Sequence, residues 1–287
     1  MRVAVHGRLR FDSDRPRLEA VLKTLTDCFG SVSYSETLQD LEGIESHQVF
    51  TDEELSEGQF DVLVSVGGDG TILESVRKVD RSGTPIFGVN TGRLGFLSST
   101  PFEELEQAFQ LLKNGQFQVD YRTLIKAKTK DDLFGQANYA LNEVSVHKSA
   151  TSSMVVVNAY LDEFFLNTYW ADGLIISTPT GSTGYSLSTG GPIIAPGTNN
   201  LIITPIAPHN LNVRPLVISD ERKITLKIKD TDPNFMISLD SQSKIVGSDV
   251  EIIVSKADFQ VGLVRFGLHD YFDTLRGKLM WGIDRRN

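Results

Sequence analysis

The chain has 287 residues, of which 40 % are apolar and 23 % charged; this suits one large or two ordinary folded domains and excludes disorder of the whole chain. Its 28 Lys and Arg stand against 37 Asp and Glu, a formal charge of -9. That balance argues against a broad nucleic-acid-binding face, while a local phosphate pocket needs only a few donors. The one cysteine, Cys28, excludes an internal disulfide and speaks against a cysteine-based zinc site; it reads as a small apolar residue on a helix. Met1 to His6 lacks the apolar run of a signal peptide, and no later run is long enough to span a bilayer. The expectation is a cytoplasmic protein with no membrane and no nucleic-acid partner.

The first part of the chain alternates strand and helix signals. Val3 to Val5 reads as a short buried strand, and Leu18, Val21, Leu22 and Leu25 repeat at helical spacing. The acidic stretch Glu36 to Glu57, with Gly43 and Gly58 in it, reads as mostly loop. Asp61 to Val66 is a buried-strand pattern that runs into Gly67-Gly68-Asp69-Gly70-Thr71 and then a helix, Ile72 to Val79. Thr84 to Val89 reads as the next strand. Thr100-Pro101-Phe102-Glu103 places a hydroxyl at N-cap, proline at N1 and glutamate at N3 of a helix that ends near Asn114-Gly115. Strand and helix in this order predict an α/β domain with a parallel sheet.

Beyond residue 117 short strands replace helices: Leu124 to Lys128, Leu141 to Val146, Val155 to Leu161, Leu174 to Ser177, Ile224 to Ile228 and Val250 to Val254. They predict a β-rich, sandwich-like second domain. Tyr271 to Trp281 reads as a helix whose large apolar groups need a partner. Packing back onto the first domain would make that domain discontinuous, with residues 1–116 plus about 262–287 around the β-rich 117–261.

Three segments carry candidate chemistry. Gly67 to Thr71 sits between a buried strand and a helix. Its glycines let a ligand approach the backbone, and its N–H groups with the helix N-terminus suit a phosphate. Gly67, Gly68, Gly70 and Thr71 are the candidate phosphate residues. The turn is neither a Walker A loop nor a Gly-x-Gly-x-x-Gly fingerprint. Asp69 inside it is electrostatically awkward for phosphate. It either caps the following helix or serves a metal or a proton abstraction, and the turn alone leaves these level. The second segment, Asp172 to Pro192, is a strand opening into a hydroxyl- and glycine-rich loop suited to ribose hydroxyls, amides and phosphates. Tyr185 would stack on a base there or fill the core. The third is Asn142-Glu143, an amide and a carboxylate that together can hold ribose hydroxyls and a base edge, or simply end a strand in solvent.

Together these segments, with Asn90-Thr91-Gly92-Arg93-Leu94-Gly95-Phe96-Leu97, Arg214 to Ile218 and Asp240-Ser241-Gln242, resemble the ATP-NAD kinase family in order and spacing, as its bacterial members have them. The Gly-Gly-Asp-Gly turn is shared with diacylglycerol-type lipid kinases and, more remotely, phosphofructokinases; the hydroxyl-rich segment is more specific. The resemblance implies the NAD kinase/diacylglycerol kinase-like fold, an α/β domain followed by a β-rich one. It implies phosphorylation of the adenosine ribose 2′-hydroxyl of NAD by ATP with Mg²⁺ or another divalent metal, in a homodimer or homotetramer. Asp69 matches the family's proton acceptor. Asp69, Gly70, Phe96, Asn142, Glu143, Asp172, Thr180, Thr183, Gly184, Tyr185, Ser186, Leu187, Ser188 and Gln242 are the implied NAD-binding positions.

Two positions depart from the family pattern. Trp170 stands where relatives carry a basic residue or glycine, at a position linked to the choice between oxidised and reduced dinucleotide. Gly184 replaces an alanine and should matter little. A lipid or sugar kinase with the same turn, and a non-catalytic dinucleotide sensor, are the alternatives; the first has no need of Thr180 to Ser188, and the second no need of Asp69. His6, His47, His147, His209 and His269 show no metal-ligand spacing, although His6-Gly7-Arg8 could border a nucleotide pocket. Arg93 reads as a phosphate contact or a surface ion pair.

Overall fold

The computed structural model describes residues 1–8, 14–41, 44, 48–92, 95–97, 100–148, 154–228, 234–247, 250–267 and 270–281. Arg93, Leu94, Gly43, His47 and His269 lie outside them. The chain divides into two compact units, residues 1–121 with 261–287, and residues 122–260.

The first unit contains β1 (Val3–Gly7), α1 (Arg15–Phe29), β2 (Ser33–Ser35), β3 (Val49–Phe50), α2 (Asp52–Ser56), β4 (Val62–Gly67), α3 (Asp69–Val79), β5 (Ile86–Asn90) and α4 (Leu105–Lys113). Its strands pair in parallel in the order β5-β4-β1-β2-β3. The order reverses between β1 and β4, so their C-terminal ends open a crevice at a topological switch point, where α/β sheets bind ligands. Helix α1 forms because Leu18, Val21, Leu22 and Leu25 recur on one face, and all four are buried. They share a core with Val62, Val64 and Val66 of β4 and with Phe109 and Leu112 of α4. Phe109 meets Phe29 and Phe87 edge-on, with ring centroids 6.3 and 5.9 Å apart. Cys28 is buried on α1, as its sequence context suggests.

Two local expectations are corrected. Among its described residues the stretch Glu36 to Glu57 is more ordered than the expected loop: it holds a 3-10 turn at Glu36–Leu38, strand β3 and helix α2. Leu38, Phe50 and Leu55 anchor these in the core, and Thr51 and Glu54 close a reciprocal capping box. Thr100 is not a helix N-cap. It bridges Val89, and its carbonyl accepts the Asn90 N–H at 3.0 Å. Pro101 instead opens a 3-10 turn at Phe102–Glu104 ahead of α4.

The second unit contains most of β6 (Gln118–Thr129), then β7 (Tyr139–Ala140), β8 (Glu143–Lys148), β9 (Val155–Leu161), β10 (Phe164–Ala171), β11 (Gly173–Ser177), α5 (Tyr185–Ser188), β12 (Asn200–Ile206), β13 (Leu216–Ser219), β14 (Ile224–Ile228), β15 (Phe235–Leu239), β16 (Gln242–Val246) and the first part of β17 (Glu251–Arg265). One antiparallel sheet runs β13-β12-β11-β8-β15-β16. A second antiparallel array runs β10-β9-β14-β17. Alternate residues of both meet in one core: Val144 and Val146, Leu174 and Ile176, Leu201 and Ile203 from the first; Val155, Val157 and Ala159, with Leu226 and Ile252, from the second. This is the expected sandwich. The C-terminal α6 (Tyr271–Leu279) clusters with the first unit. Asp270 and Asp273 form its capping box. It buries Thr274 and Leu275, while Phe272 and Trp281 are 53 % and 51 % exposed.

Candidate functional site

In the first unit the site grows out of β4. Gly67 has φ 155, a value that side chains disfavour, and a Cβ there would stand 2.3 Å from Thr71 Oγ1. The turn therefore admits only glycine at its first position. Gly68 then N-caps α3, which leaves Asp69 as the first helical residue rather than the cap. Its carboxylate faces away from its own helix: Oδ2 accepts the Phe96 N–H at 2.9 Å and Oδ1 the Leu97 N–H at 3.1 Å. Asp69 thus orders the segment that carries Phe96, whose ring also lies 4.9 Å from Lys278 Nζ. Each carboxylate oxygen thus accepts at least one backbone N–H, and a carboxylate offers about four lone-pair sites in all. Gly67, Gly68, Thr71, Asn90, Arg8 and Asp14 line a cleft of about 140 Å³ at the switch point. Gly70 follows Asp69 in the first turn of α3, so its N–H belongs to the positive end of the helix.

In the second unit Asp240 organises a cluster of its own. It occupies the two-residue turn between β15 and β16 with φ 49. Its carboxylate accepts the backbone N–H groups of Leu141, Asn142 and Glu143 at 2.8, 2.9 and 3.0 Å. Asn142-Glu143 is therefore not a strand end lost in solvent. The Glu143 carboxylate is the buried end of a half-buried residue, and its Oε2 has no hydrogen-bond partner. Desolvation first, and the Asp240 charge second, push its pKa up to about 8, against the opposing Tyr185 backbone N–H.

The hydroxyl-rich segment is not an open loop. It folds into a 3-10 turn, Thr180–Thr183, and the short α5. Thr178 secures it, donating to the Leu141 carbonyl at 2.6 Å and accepting the Gly181 N–H at 3.0 Å. Gly181 lies so close to Asn142 that a Cβ would be 2.1 Å from its carbonyl oxygen. Thr180, Thr183, Gly184 and Tyr185 are thereby brought beside Asn142-Glu143. Thr180 is buried and accepts from Arg122 Nη1 at 3.2 Å; Ser186 is buried with its hydroxyl 2.9 Å from Thr204 Oγ1. Leu187 is partly covered and Ser188 exposed. A methyl at Gly184 would sit 3.2 Å from both Glu143 Oε2 and the Gly181 carbonyl, a tighter fit than the sequence suggests.

Tyr185 neither fills the core nor stands alone. It is 40 % exposed and stacks on His147, centroids 5.5 Å apart at 24°. His147 Nε2 is 2.9 Å from Ser145 Oγ. Asp172 pairs with Lys148 at 2.7 Å. Gln242 Nε2 donates to the Ala137 carbonyl at 3.2 Å. Asp240, Arg122 and Lys148 were missed as site residues by sequence reasoning. Asp240 had a signal, an Asp-Ser pair between two short strands; buried Arg122 in an alternating strand had none.

The N-terminal domain model of ATP-NAD kinase matches residues 21–117, and its C-terminal domain model residues 141–266. An NAD kinase of Cytophaga hutchinsonii is 51 % identical over 230 residues, 80 % of this chain and 79 % of that protein. An NAD kinase of Flavobacterium psychrophilum is 40 % identical over 294 residues that span both chains fully. Among solved structures, an NAD kinase from Archaeoglobus fulgidus in complex with ATP matches with TM-score 0.73 and 31 % identity, covering 98 % of this chain and 99 % of that one. Yeast NADH kinase complexed with NADH shares the fold, with TM-score 0.87 at 24 % identity over 99 % of this chain and 89 % of that one.

Proposed function

Since this chain belongs to the ATP-NAD kinase family, we propose that it transfers the γ-phosphoryl group of ATP to the adenosine ribose 2′-hydroxyl of NAD, yielding NADP and ADP. The observation that carries this is Asp69: a carboxylate at the end of a parallel strand, beside a glycine turn at the switch point, held by two backbone N–H groups and not used as a helix cap.

The 2′-oxygen attacks Pγ as the bond from Pγ to the β,γ-bridging oxygen breaks. The hydroxyl proton passes to the Asp69 carboxylate and then to solvent. A positioned base contributes about 10²- to 10⁴-fold. Alignment and N–H donors on the triphosphate supply more. Gly67, Gly68, Gly70 and Thr71 are the proposed donor-phosphate residues. Phe96, Asn142, Glu143, Asp172, Thr180, Thr183, Gly184, Tyr185, Ser186, Leu187, Ser188 and Gln242 are the proposed NAD positions. Ser186 is buried, with its hydroxyl engaged by Thr204 and its carbonyl accepting the Thr189 and Gly191 N–H groups, so its proposed part is to hold the segment in shape.

The divalent metal enters as part of the donor, Mg·ATP, where it offsets charge on the phosphates. Among the described residues no group of three or more His, Cys, Asp or Glu comes together as a metal site. In kinases such an ion is usually held by phosphate oxygens, waters and one or two carboxylates rather than by a cage of protein ligands. No helix among the described residues is long and apolar enough to cross a membrane. We also propose self-association, supported by Phe164 and Phe165 on edge strand β10, which are 76 % and 59 % exposed.

The test is NADP formation from NAD and Mg·ATP, read through an NADP-specific dehydrogenase, with NADH, diacylglycerol and sugars as parallel acceptors. Phosphorylation of the dinucleotide alone supports the reading; transfer to lipid or sugar instead overturns it. The NADH arm reports what Trp170, 44 % exposed, does to the choice of oxidation state.

A further inference from the structure

A line of side chains runs from the interior of the first unit to the rim of the switch-point cleft. His6, at the end of β1, is 1 % exposed. Its Nδ1 lies 3.0 Å from Ser35 Oγ and its Nε2 3.4 Å from Glu74 Oε2. Ser35 Oγ is 2.8 Å from Thr37 Oγ1, which donates to the Gly7 carbonyl at 2.7 Å. The other Glu74 oxygen accepts from Arg8 Nη1 at 2.9 Å. Burial holds the His6 pKa down to about 4, so the ring is neutral. With a carboxylate opposite Nε2, the proton of the neutral ring is assigned there, and the single Ser35 hydroxyl proton serves either His6 Nδ1 or Thr37 Oγ1.

Arg8 lies 56 % exposed beside a Glu74 that is 18 % exposed, and an ion pair so open to water adds little to stability. Its consequence is orientation. Arg8 borders the cleft with Gly67, Gly68, Thr71 and Asn90, and is the one cation among its described lining residues. The cleft, at about 140 Å³, is small beside the several hundred Å³ of a pocket for a drug-sized ligand, and suits phosphate groups. The Glu74 pair engages Nη1, and the guanidinium has five N–H donors in all, so others can serve phosphate oxygens.

We propose that Arg8 binds the phosphates of the nucleotide donor and that Glu74, steadied by neutral His6, is its positioning residue. This rests on the kinase reading, but its direct test does not require turnover. ATP and adenosine are titrated by calorimetry into the wild type and the variants Arg8→Ala, Arg8→Lys and Glu74→Gln, and KM for ATP and NAD is measured in parallel. Arg8→Ala should weaken ATP by about tenfold or more, as loss of a charge-assisted pair does, and leave adenosine within about twofold. Arg8→Lys should recover part of the loss, since a point charge replaces a fork. Glu74→Gln should raise KM for ATP by about threefold, a smaller effect than loss of the cation itself, without raising KM for NAD. ATP affinity unchanged in Arg8→Ala, or lost equally for adenosine, overturns the assignment. Arg8-dependent ATP affinity in a wild type that forms no NADP supports the assignment and overturns the kinase reading instead.

Discussion

Glu143 and Asp240 are tied to each other through the backbone in both directions. The Glu143 N–H donates to Asp240 Oδ1 at 3.0 Å, and the Asp240 N–H donates to the Glu143 carbonyl at 3.0 Å. Two carboxylates are thus fixed close together, one accepting three N–H groups and the other largely desolvated. Burial and the neighbouring charge push the Glu143 acid toward its neutral form.

That arrangement sets a pH dependence. Between the ordinary carboxylate pKa of 4.5 and the folded value of about 8, the native state holds a proton on Glu143 that the unfolded chain has released. Stability contributed by this group is therefore full below the unfolded pKa and is lost as pH rises through the folded one. Glu143→Gln should flatten the wild-type decline in Tm from about pH 5 to about pH 8. Parallel curves for the two proteins would show that Glu143 titrates normally.

Asp240→Asn should weaken the platform. An amide oxygen can still receive two of the three N–H groups, but the NH₂ then faces the third, at Leu141. Leaving a buried donor unpaired costs about 1–3 kcal/mol. Chemical denaturation should show that loss, and KM for NAD should rise with it, because Asn142 and Glu143 hang from the same carboxylate.

Gly67 and Gly68 should respond differently to alanine. Gly67→Ala meets both a disfavoured φ and Thr71 Oγ1, whereas a Cβ at Gly68 meets nothing within 4 Å. Strain of the first kind costs about 1–3 kcal/mol. Thermal melts should separate the two variants clearly. Equal Tm values would mean that the turn relaxes around the new side chain.

The sequence carried the strand, turn and helix around Asp69 because a buried apolar run, three glycines and a helical repeat are all local signals. Val155 to Leu161 and Ile224 to Ile228 were legible to the residue for the same reason. The role of Asp240 was not, since its partners are N–H groups 97–99 residues earlier. Nor was the folding of Thr180 to Ser188 into two short helical turns, which depends on Thr178 reaching Leu141. Thr51 and Glu54 did carry a capping signal inside the acidic stretch, masked there by its charge.

The reaction itself turns on Asp69, and its most direct measurement is the kinetics of Asp69→Asn with NAD and Mg·ATP. The variant keeps one acceptor oxygen for the Phe96 and Leu97 N–H groups. Loss of the base should lower kcat by about 10²- to 10⁴-fold. KM for NAD should move far less. Near-normal turnover would contradict the assignment of Asp69 as proton acceptor.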